Sequence, residues 1–248
     1  MSRIIAFANH KGGVSKTTSV ANVGALLSQK GKKVLLVDLD AQANLTDYFL
    51  KERPEESIYN AMAGISPLPV TQIAENLFIT PSSLSMAGID RMATESRDGT
   101  GILRELLRPI EREYDYVLID CPPSLGIATI NALVAASDLY ICVTAEAIPV
   151  RGLKMLIDTL EEIKKRKNPD LKLSGIIITR WGARNLNKIM EEGLRKNFGE
   201  VVFTTKIREN ISIAEAPTAF QDVASYSPTS HGAEDYKALT EEILKRTK

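Results

Sequence analysis

Short apolar runs bounded by turn residues alternate along this chain with longer segments whose apolar side chains recur every three or four positions. The short runs read as strands buried on both faces, and the longer spacing reads as helix. The pattern predicts strands over Ile4–Ala8, Lys33–Asp38, Leu77–Thr80, Tyr116–Asp120, Leu139–Val143, Ser174–Thr179 and Val201–Phe203. It predicts helices over Thr17–Gln29, Thr100–Glu111, Leu125–Ala136, Arg151–Arg166 and Leu186–Phe198, the first stopped at Gly31. Lys51–Thr71 is irregular, a loop with one short helix over Ser57–Ala63. In Gly232–Lys248, Tyr236, Leu239, Ile243 and Leu244 fall at helical intervals. Strand–helix alternation with no internal repeat or long linker predicts an α/β fold. Its form is a doubly wound, mostly parallel sheet with helices on both faces, residues 1–248 making one domain.

Composition changes this picture little, but charge does. The chain has 248 residues, 44% hydrophobic and 25% charged, with 31 Lys and Arg against 31 Asp and Glu. Global charge therefore gives no affinity for nucleic acid; a local patch would have to supply it. Residues 151 to 208 hold 14 Lys and Arg against 7 Asp and Glu, which leaves the remainder acidic. Arg180, Arg184, Lys188, Arg195, Lys196, Lys206 and Arg208 are the candidates for a phosphate-backbone face; the alternative is an ordinary solvated helix surface. Trp181 packs either on a base or on the core. Cys121 and Cys142 lie in apolar stretches without metal-ligand spacing and read as small hydrophobes in a reducing compartment. No leader pattern and no apolar run of about 18 to 20 residues is visible, so a cytoplasmic protein is expected. The tail Tyr236–Lys248 carries Glu241 and Glu242 and lacks a broad bulky apolar face; it is expected to dock on the core rather than on a membrane.

The chemistry concentrates after the first strand, where residues 10 to 18 read His-Lys-Gly-Gly-Val-Ser-Lys-Thr-Thr. Loop amides and a helix N-terminus there make an anion site, with Lys16 reaching β/γ-phosphates and Thr17 offering a hydroxyl to Mg²⁺. His10 and Ser15 occupy the two positions where the general phosphate loop has glycine. If Ser15 needs a left-handed backbone, it costs roughly 1 kcal/mol or more. The strand ending at Asp38 continues Asp38-Leu39-Asp40-Ala41-Gln42-Ala43-Asn44, an acidic, amide-rich loop at a strand's carboxyl end. Tyr116–Asp120 closes an apolar strand on one carboxylate and runs into Cys121-Pro122-Pro123, two prolines that end the strand.

Lys11, Gly12, Gly13, Lys16, Thr17 and Thr18 resemble the deviant Walker A loop, Lys-Gly-Gly-x-Gly-Lys-Thr-Thr, of the ParA/MinD family, from which Ser15 departs. The resemblance covers nearly the whole chain and implies a P-loop NTPase-like fold that binds ATP and Mg²⁺ through Lys11, Gly12, Gly13, Val14, Ser15, Lys16, Thr17 and Thr18. It makes Asp40 the switch I residue that positions the hydrolytic water, with Asp38 a weaker candidate, and lets Asn44 reach a partner subunit's nucleotide. Asp120 becomes the Walker B carboxylate that, with Thr17, holds the metal, and Asp-x-Pro-Pro the switch II turn. Lys11 is implied to cross the interface of an ATP-dependent sandwich homodimer. The alternatives are that Asp38 or Asp40 caps a helix over Ala41–Tyr48, that Asp120 caps a turn, and that Lys11 is a solvated loop charge.

Ile207–Pro217 resembles the family's adenine-proximal loop, which brings Arg208 to the nucleotide, and His231-Gly232-Ala233-Glu234 resembles its ending. Typical members have Pro and Arg where this chain has Arg208 and Glu209, and another arginine where it has Ser212, and those arginines include a DNA contact in the family. The function expected from the resemblance is a partitioning ATPase that binds nonspecific DNA as an ATP dimer. A ParB-like or other cargo-bound activator would release it, and the protein would be nucleoid-associated with no membrane partner. The alternatives are a positioning switch without DNA affinity and a metabolic ATPase of the same superfamily.

Overall fold

The computed structural model describes residues 2–95, 99–144 and 150–247. In chain order the elements are β1 (Arg3–Ala8), α1 (Lys16–Gln29), β2 (Val34–Asp38), α2 (Asn44–Phe49), α3 (Ile58–Met62), β3 (Thr71–Ala74) and β4 (Leu77–Thr80). They continue with α4 (Ile89–Glu95), α5 (Ile102–Leu107), β5 (Tyr116–Asp120), α6 (Ile127–Ala135), β6 (Asp138–Thr144), α7 (Val150–Arg166) and β7 (Lys172–Trp181). The last are α8 (Asn185–Phe198), β8 (Val202–Arg208), α9 (Ile211–Glu215), α10 (Val223–Tyr226) and α11 (His231–Arg246). Among the described residues, eight strands join one sheet in the order β3-β4-β2-β5-β1-β6-β7-β8, parallel throughout except for the β3–β4 pair.

Alternate side chains of each strand feed opposite layers, as the two-residue period requires. Ile4, Ala6, Leu35 and Val37 enter the layer with Leu133, Leu156 and Leu160 from α6 and α7. Ile5, Phe7, Leu36 and Leu118 enter the other, with Val20 and Leu27 of α1 and Tyr236, Leu239 and Ile243 of α11. The C-terminal helix thus docks on the core, its three anchors fully buried. Cys121 and Cys142 are buried in these layers as free thiols. Gly175 in β7 clears room for an aromatic stack: a Cβ there would lie 2.3 Å from the Phe203 ring. Phe203 and Phe7 flank Tyr140 at 5.3 and 5.4 Å.

Several boundaries differ from the sequence expectation, each for a local reason. Thr100–Glu111 contracts to α5, because Pro109 has no N–H to donate within a helix, although Arg108 before it keeps helical dihedrals. The Ala41–Tyr48 alternative becomes the shorter α2, starting at Asn44. β7 and β8 run further than predicted, to Trp181 and Arg208, through polar side chains at the sheet's end. β3 lies outside the predicted strands; it is a four-residue antiparallel edge strand whose residues alternate between half-buried and exposed. The other edge, β8, is covered: Thr204 N and Thr205 N each donate at 2.9 Å to the Glu242 carboxylate of α11, which Arg246 holds at 2.7 Å. Such a cover removes exposed pairing groups from an edge.

Candidate functional site

β1 lies between β5 and β6, where the strand order turns in both directions, and the loop from Asn9 to Ser15 leaves its carboxyl end. In open α/β sheets this switch point is where ligands collect. Two left-handed residues shape the loop, Gly13 at φ +72° and Ser15 at φ 62°, ψ 31°. Ser15 is the residue preceding α1, and its side chain caps no helix N–H. Ala43, preceding α2, is also left-handed at φ 57°. Strain of this kind costs roughly 1–2 kcal/mol per L-residue and collects at functional sites.

Lys16 is 6% exposed, and its Nζ donates to the Lys11 carbonyl at 3.4 Å, curling back over the loop. Thr17 Oγ1 donates to Asp120 Oδ2 at 2.6 Å, while Asp120 Oδ1 is buried without any partner. Register explains the acidic surroundings: β2 pairs with β5 so that Asp38 stands opposite Asp120. Burial, then the neighbouring Asp38 carboxylate, pushes the Asp120 carboxyl well above the usual range. Burial likewise pushes Asp38 up to about 6, against hydrogen bonds from Thr46 Oγ1 at 2.8 Å, Thr46 N at 2.9 Å and Asp40 N at 3.0 Å. The centre is therefore short of positive charge. An orphaned carboxylate oxygen beside a threonine hydroxyl fits a hard divalent cation. Among the described residues no three His, Cys, Asp or Glu side chains form a metal cluster. Such a cation would take most of its ligands from water and phosphate, as Mg²⁺ does.

Asp40 Oδ1 accepts from Gln42 N at 3.0 Å, and its carbonyl accepts from Ser82 Oγ at 2.7 Å. Asp40 caps no turn of α2; Asp38, through Thr46, braces that helix instead. Arg53 grips Asp47 at 2.7 and 2.6 Å and reaches the Gln42 carbonyl at 3.1 Å, clasping the loop to the far end of α2. These parts enclose a cavity of about 550 Å³ lined by residues 12–18, Asp40, Gln42, Asn44, Asp47, Tyr48, Pro123 and Pro217. A second hollow, about 590 Å³ between α7 and α8, is mainly apolar and gathers no phosphate-binding loop.

Thus Gly12, Gly13, Val14, Ser15, Lys16, Thr17, Thr18, Asp40 and Asn44 meet at one cavity, with Asp120 joined through Thr17. Lys11 stands half-buried at its margin. Arg208, expected near the nucleotide, is not among the lining residues. Its guanidinium binds Asp235 at 2.7 Å and Glu234 at 3.1 Å, tying β8 to α11. The basic candidates also divide. Arg195 and Lys206 share Glu191 at 3.0 and 2.9 Å, Lys206 lies 4.2 Å over the half-buried Trp181 ring, and Arg180 meets Glu209 at 3.5 Å. Burial alone would raise the Glu191 carboxyl, but its two cationic donors hold it below the usual range. Arg184, Lys188 and Lys196 are exposed and form no ion pair among the described residues. Sequence reasoning missed Asn9 and Thr179. Each is the first polar residue after an apolar run, which is the signal that marks them, and both bond the loop: Asn9 accepts from Lys11 N, and Thr179 donates to the Val14 carbonyl.

A loop of backbone amides at a helix N-terminus, a lysine folded over it and a Thr–Asp pair on the adjoining strand define a Walker-type ATPase. Residues 2–173 match the AAA_31 family, an AAA domain. The chromosome-partitioning ATPase Soj of Thermus thermophilus is 40% identical over 98% of this chain and 96% of its own. The sporulation initiation inhibitor protein Soj of Bacillus subtilis is 38% identical over 98% of each. The chain belongs to this AAA_31 family, among the Soj/ParA partitioning ATPases. A cobyrinic acid a,c-diamide synthase of Mycobacterium smegmatis, solved with an ATP analogue and magnesium, superposes with TM-score 0.86 at 29% identity, covering 99% of this chain and 95% of that one. A putative plasmid partition protein of Borrelia burgdorferi bound to AMPPNP gives TM-score 0.86 at 26% identity, covering 99% and 100%. No described helix is long and apolar enough to cross a membrane.

Proposed function

We propose that this ATPase works as an ATP-dependent sandwich homodimer that holds nonspecific DNA and lets it go when a ParB-like or other cargo-bound activator stimulates hydrolysis. Residues 1–248 act as one ATPase unit, in the cytoplasm and on the nucleoid. The observation that carries the reading is the convergence of Lys16, Asp40 and the Thr17–Asp120 pair, with its orphaned oxygen, on one cavity beside Lys11. ATP with Mg²⁺ is the cofactor, in keeping with the family. The amides of residues 12–18 and the Lys16 ammonium bind the β/γ-phosphates, while Thr17 and Asp120 hold the metal, Asp120 directly or through water. Bound Mg²⁺ would supply neutralisation of the charge on the transferring phosphoryl group. Asp40 orients the attacking water, and Lys11 and Asn44 reach the nucleotide of the partner subunit. Lys11 there serves like an arginine finger supplied in trans.

Arg184, Lys188 and Lys196 are the strongest DNA contacts, since their charges are uncommitted; Arg180, Arg195 and Lys206 must first exchange Glu209 or Glu191 for phosphate. That internal neutralisation, with Ser212 in place of the family's arginine, is also what favours the second reading, a positioning switch without DNA. Retention on nonspecific duplex with ATP, ADP or no nucleotide across a salt series separates the two. Three free cations per protomer in a dimer predict ATP-only retention with a log–log salt slope of about −5. Intact ATP binding with no retention in any state would sink the DNA reading and leave the second.

A further inference from the structure

We propose that Asn9 is a positioning residue for Lys11, setting the direction in which that lysine leaves the loop. The inference rests on the in-trans role proposed for Lys11. Asn9 is 6% exposed and uses both ends of its amide: Nδ2 donates to the Cys142 carbonyl of β6 at 2.7 Å, and Oδ1 accepts from Lys11 N at 3.1 Å. Bonding to the N–H two residues on makes an Asx turn, and the second bond anchors that turn to the sheet. The amide works in one orientation only, because reversing it sets like against like at both ends. His10 Nδ1 lies 3.2 Å from the same Oδ1.

Lys11 needs such a brace because its own ammonium makes no hydrogen bond or ion pair among the described residues. Only its backbone is held, at N–H by Asn9 and at C=O by Lys16 Nζ, 3.4 Å away. A lysine that must cross an interface is then aimed by two main-chain contacts, one to the sheet and one to the phosphate-binding lysine. Displacing a charge from its productive position by about 1 Å costs up to about 10²-fold in rate. Losing the Asn9 contact leaves the Lys16 contact in place, so a smaller loss, about tenfold, is expected.

Asn9→Ala, Asn9→Ser, Lys11→Ala and Asn9→Ala/Lys11→Ala are compared by steady-state ATPase rate, protomer affinity for a fluorescent ATP analogue, and thermal melting. Asn9→Ala should lower kcat about tenfold while protomer affinity stays within about threefold. Asn9→Ser should regain most of that loss, because a serine hydroxyl can accept from the same N–H. The double variant should be no slower than Lys11→Ala, as for groups acting through one another. Losses that multiply in the double variant, or an Asn9→Ala effect confined to protomer affinity, would overturn the proposal. If Asn9→Ala melts below assay temperature, all four proteins are compared at a temperature below its melt. An unchanged kcat in Lys11→Ala would instead remove the in-trans role itself, a failure distinct from an inert Asn9 beside an essential Lys11.

Discussion

Ser15 enters α1 with φ 62° and ψ 31°, a conformation that crowds the Cβ of any L-residue, and its side chain caps no helix amide in return. Ser15→Gly should therefore stabilise the protein. Relief of the left-handed backbone gains about 1–2 kcal/mol. The greater freedom of glycine in the unfolded chain gives back about 0.4–1 kcal/mol. A net gain of about 0.5–1 kcal/mol raises Tm by about 1–4 °C in a chain of this size. Thermal and urea melts without nucleotide measure it. Two controls separate backbone from side chain. Ser15→Ala keeps the strain and should stay within about 0.5 kcal/mol of the parent. Gly13→Ala places a Cβ at φ +72° in open space and should lose about 1 kcal/mol from conformation alone. The loop already holds its turn in the folded protein, so ATP affinity should move less than about threefold in Ser15→Gly. A Ser15→Gly protein no more stable than the parent, beside a destabilised Gly13→Ala, would refute the reasoning.

Asp38 makes stability depend on pH in an unusual direction. Its carboxyl, raised from 3.8 to about 6 in the folded protein, binds its proton more tightly than in the unfolded chain. Its contribution is fully present below about pH 4 and is lost as pH rises through 6, by up to about 3 kcal/mol. Urea melts of the nucleotide-free protein at a series of pH values should show this fall, and Asp38→Asn should lessen it, leaving the part that the buried Asp120 carries in the same direction; identical profiles would count against the shift. At the other end of the molecule, Glu242→Ala uncovers Thr204 N and Thr205 N on the β8 edge. It should cost about 1–3 kcal/mol and raise light scattering at moderate heat, whereas an unaffected melt would show that water replaces the carboxylate without loss.

The strands and the phosphate loop were legible because both are local signals. A run such as Tyr116–Asp120 is apolar at every position before its carboxylate, and Lys11, Lys16 and Thr17 lie within seven consecutive residues. What escaped depends on pairing between distant segments. Asp38 looked like the lesser of two loop acids, yet the β2–β5 register sets it against Asp120, and its bond to Thr46 builds α2. Counting charge over residues 151 to 208 showed an excess but not its cancellation. Glu191 lies one helical turn from Arg195 and is also brought to Lys206 by the packing of α8 on β8, and Arg208 finds its carboxylates 26 and 27 residues later in α11. Asn9 and Thr179 were visible as the first polar residues after apolar runs, but only the fold shows that both bond the loop.

The same buried acids explain why a nucleotide would act on the loops around it rather than merely fill a cavity. Asp38 and Asp120 each resist ionisation through burial, and Asp120 further through Asp38, while Lys16 is the cation that eases Asp120. A cation at Asp120 Oδ1 favours the charged form of both carboxylates. A charged Asp38 is the stronger acceptor for Asp40 N, Thr46 N and Thr46 Oγ1, since hydrogen bonds to ionised groups are roughly twice as strong as neutral ones. Tightening those three bonds fixes the segment from Asp40 to Thr46, which contains the left-handed Ala43 and presents Asp40 and Asn44 to the cavity. On the far side of the position proposed for the metal, Asp120 leads directly into Cys121 and the two prolines, and Pro123 lines the cavity wall. One electrostatic deficit, placed where two strands end in register, would thus link the charge of a bound nucleotide complex to both loops that frame it.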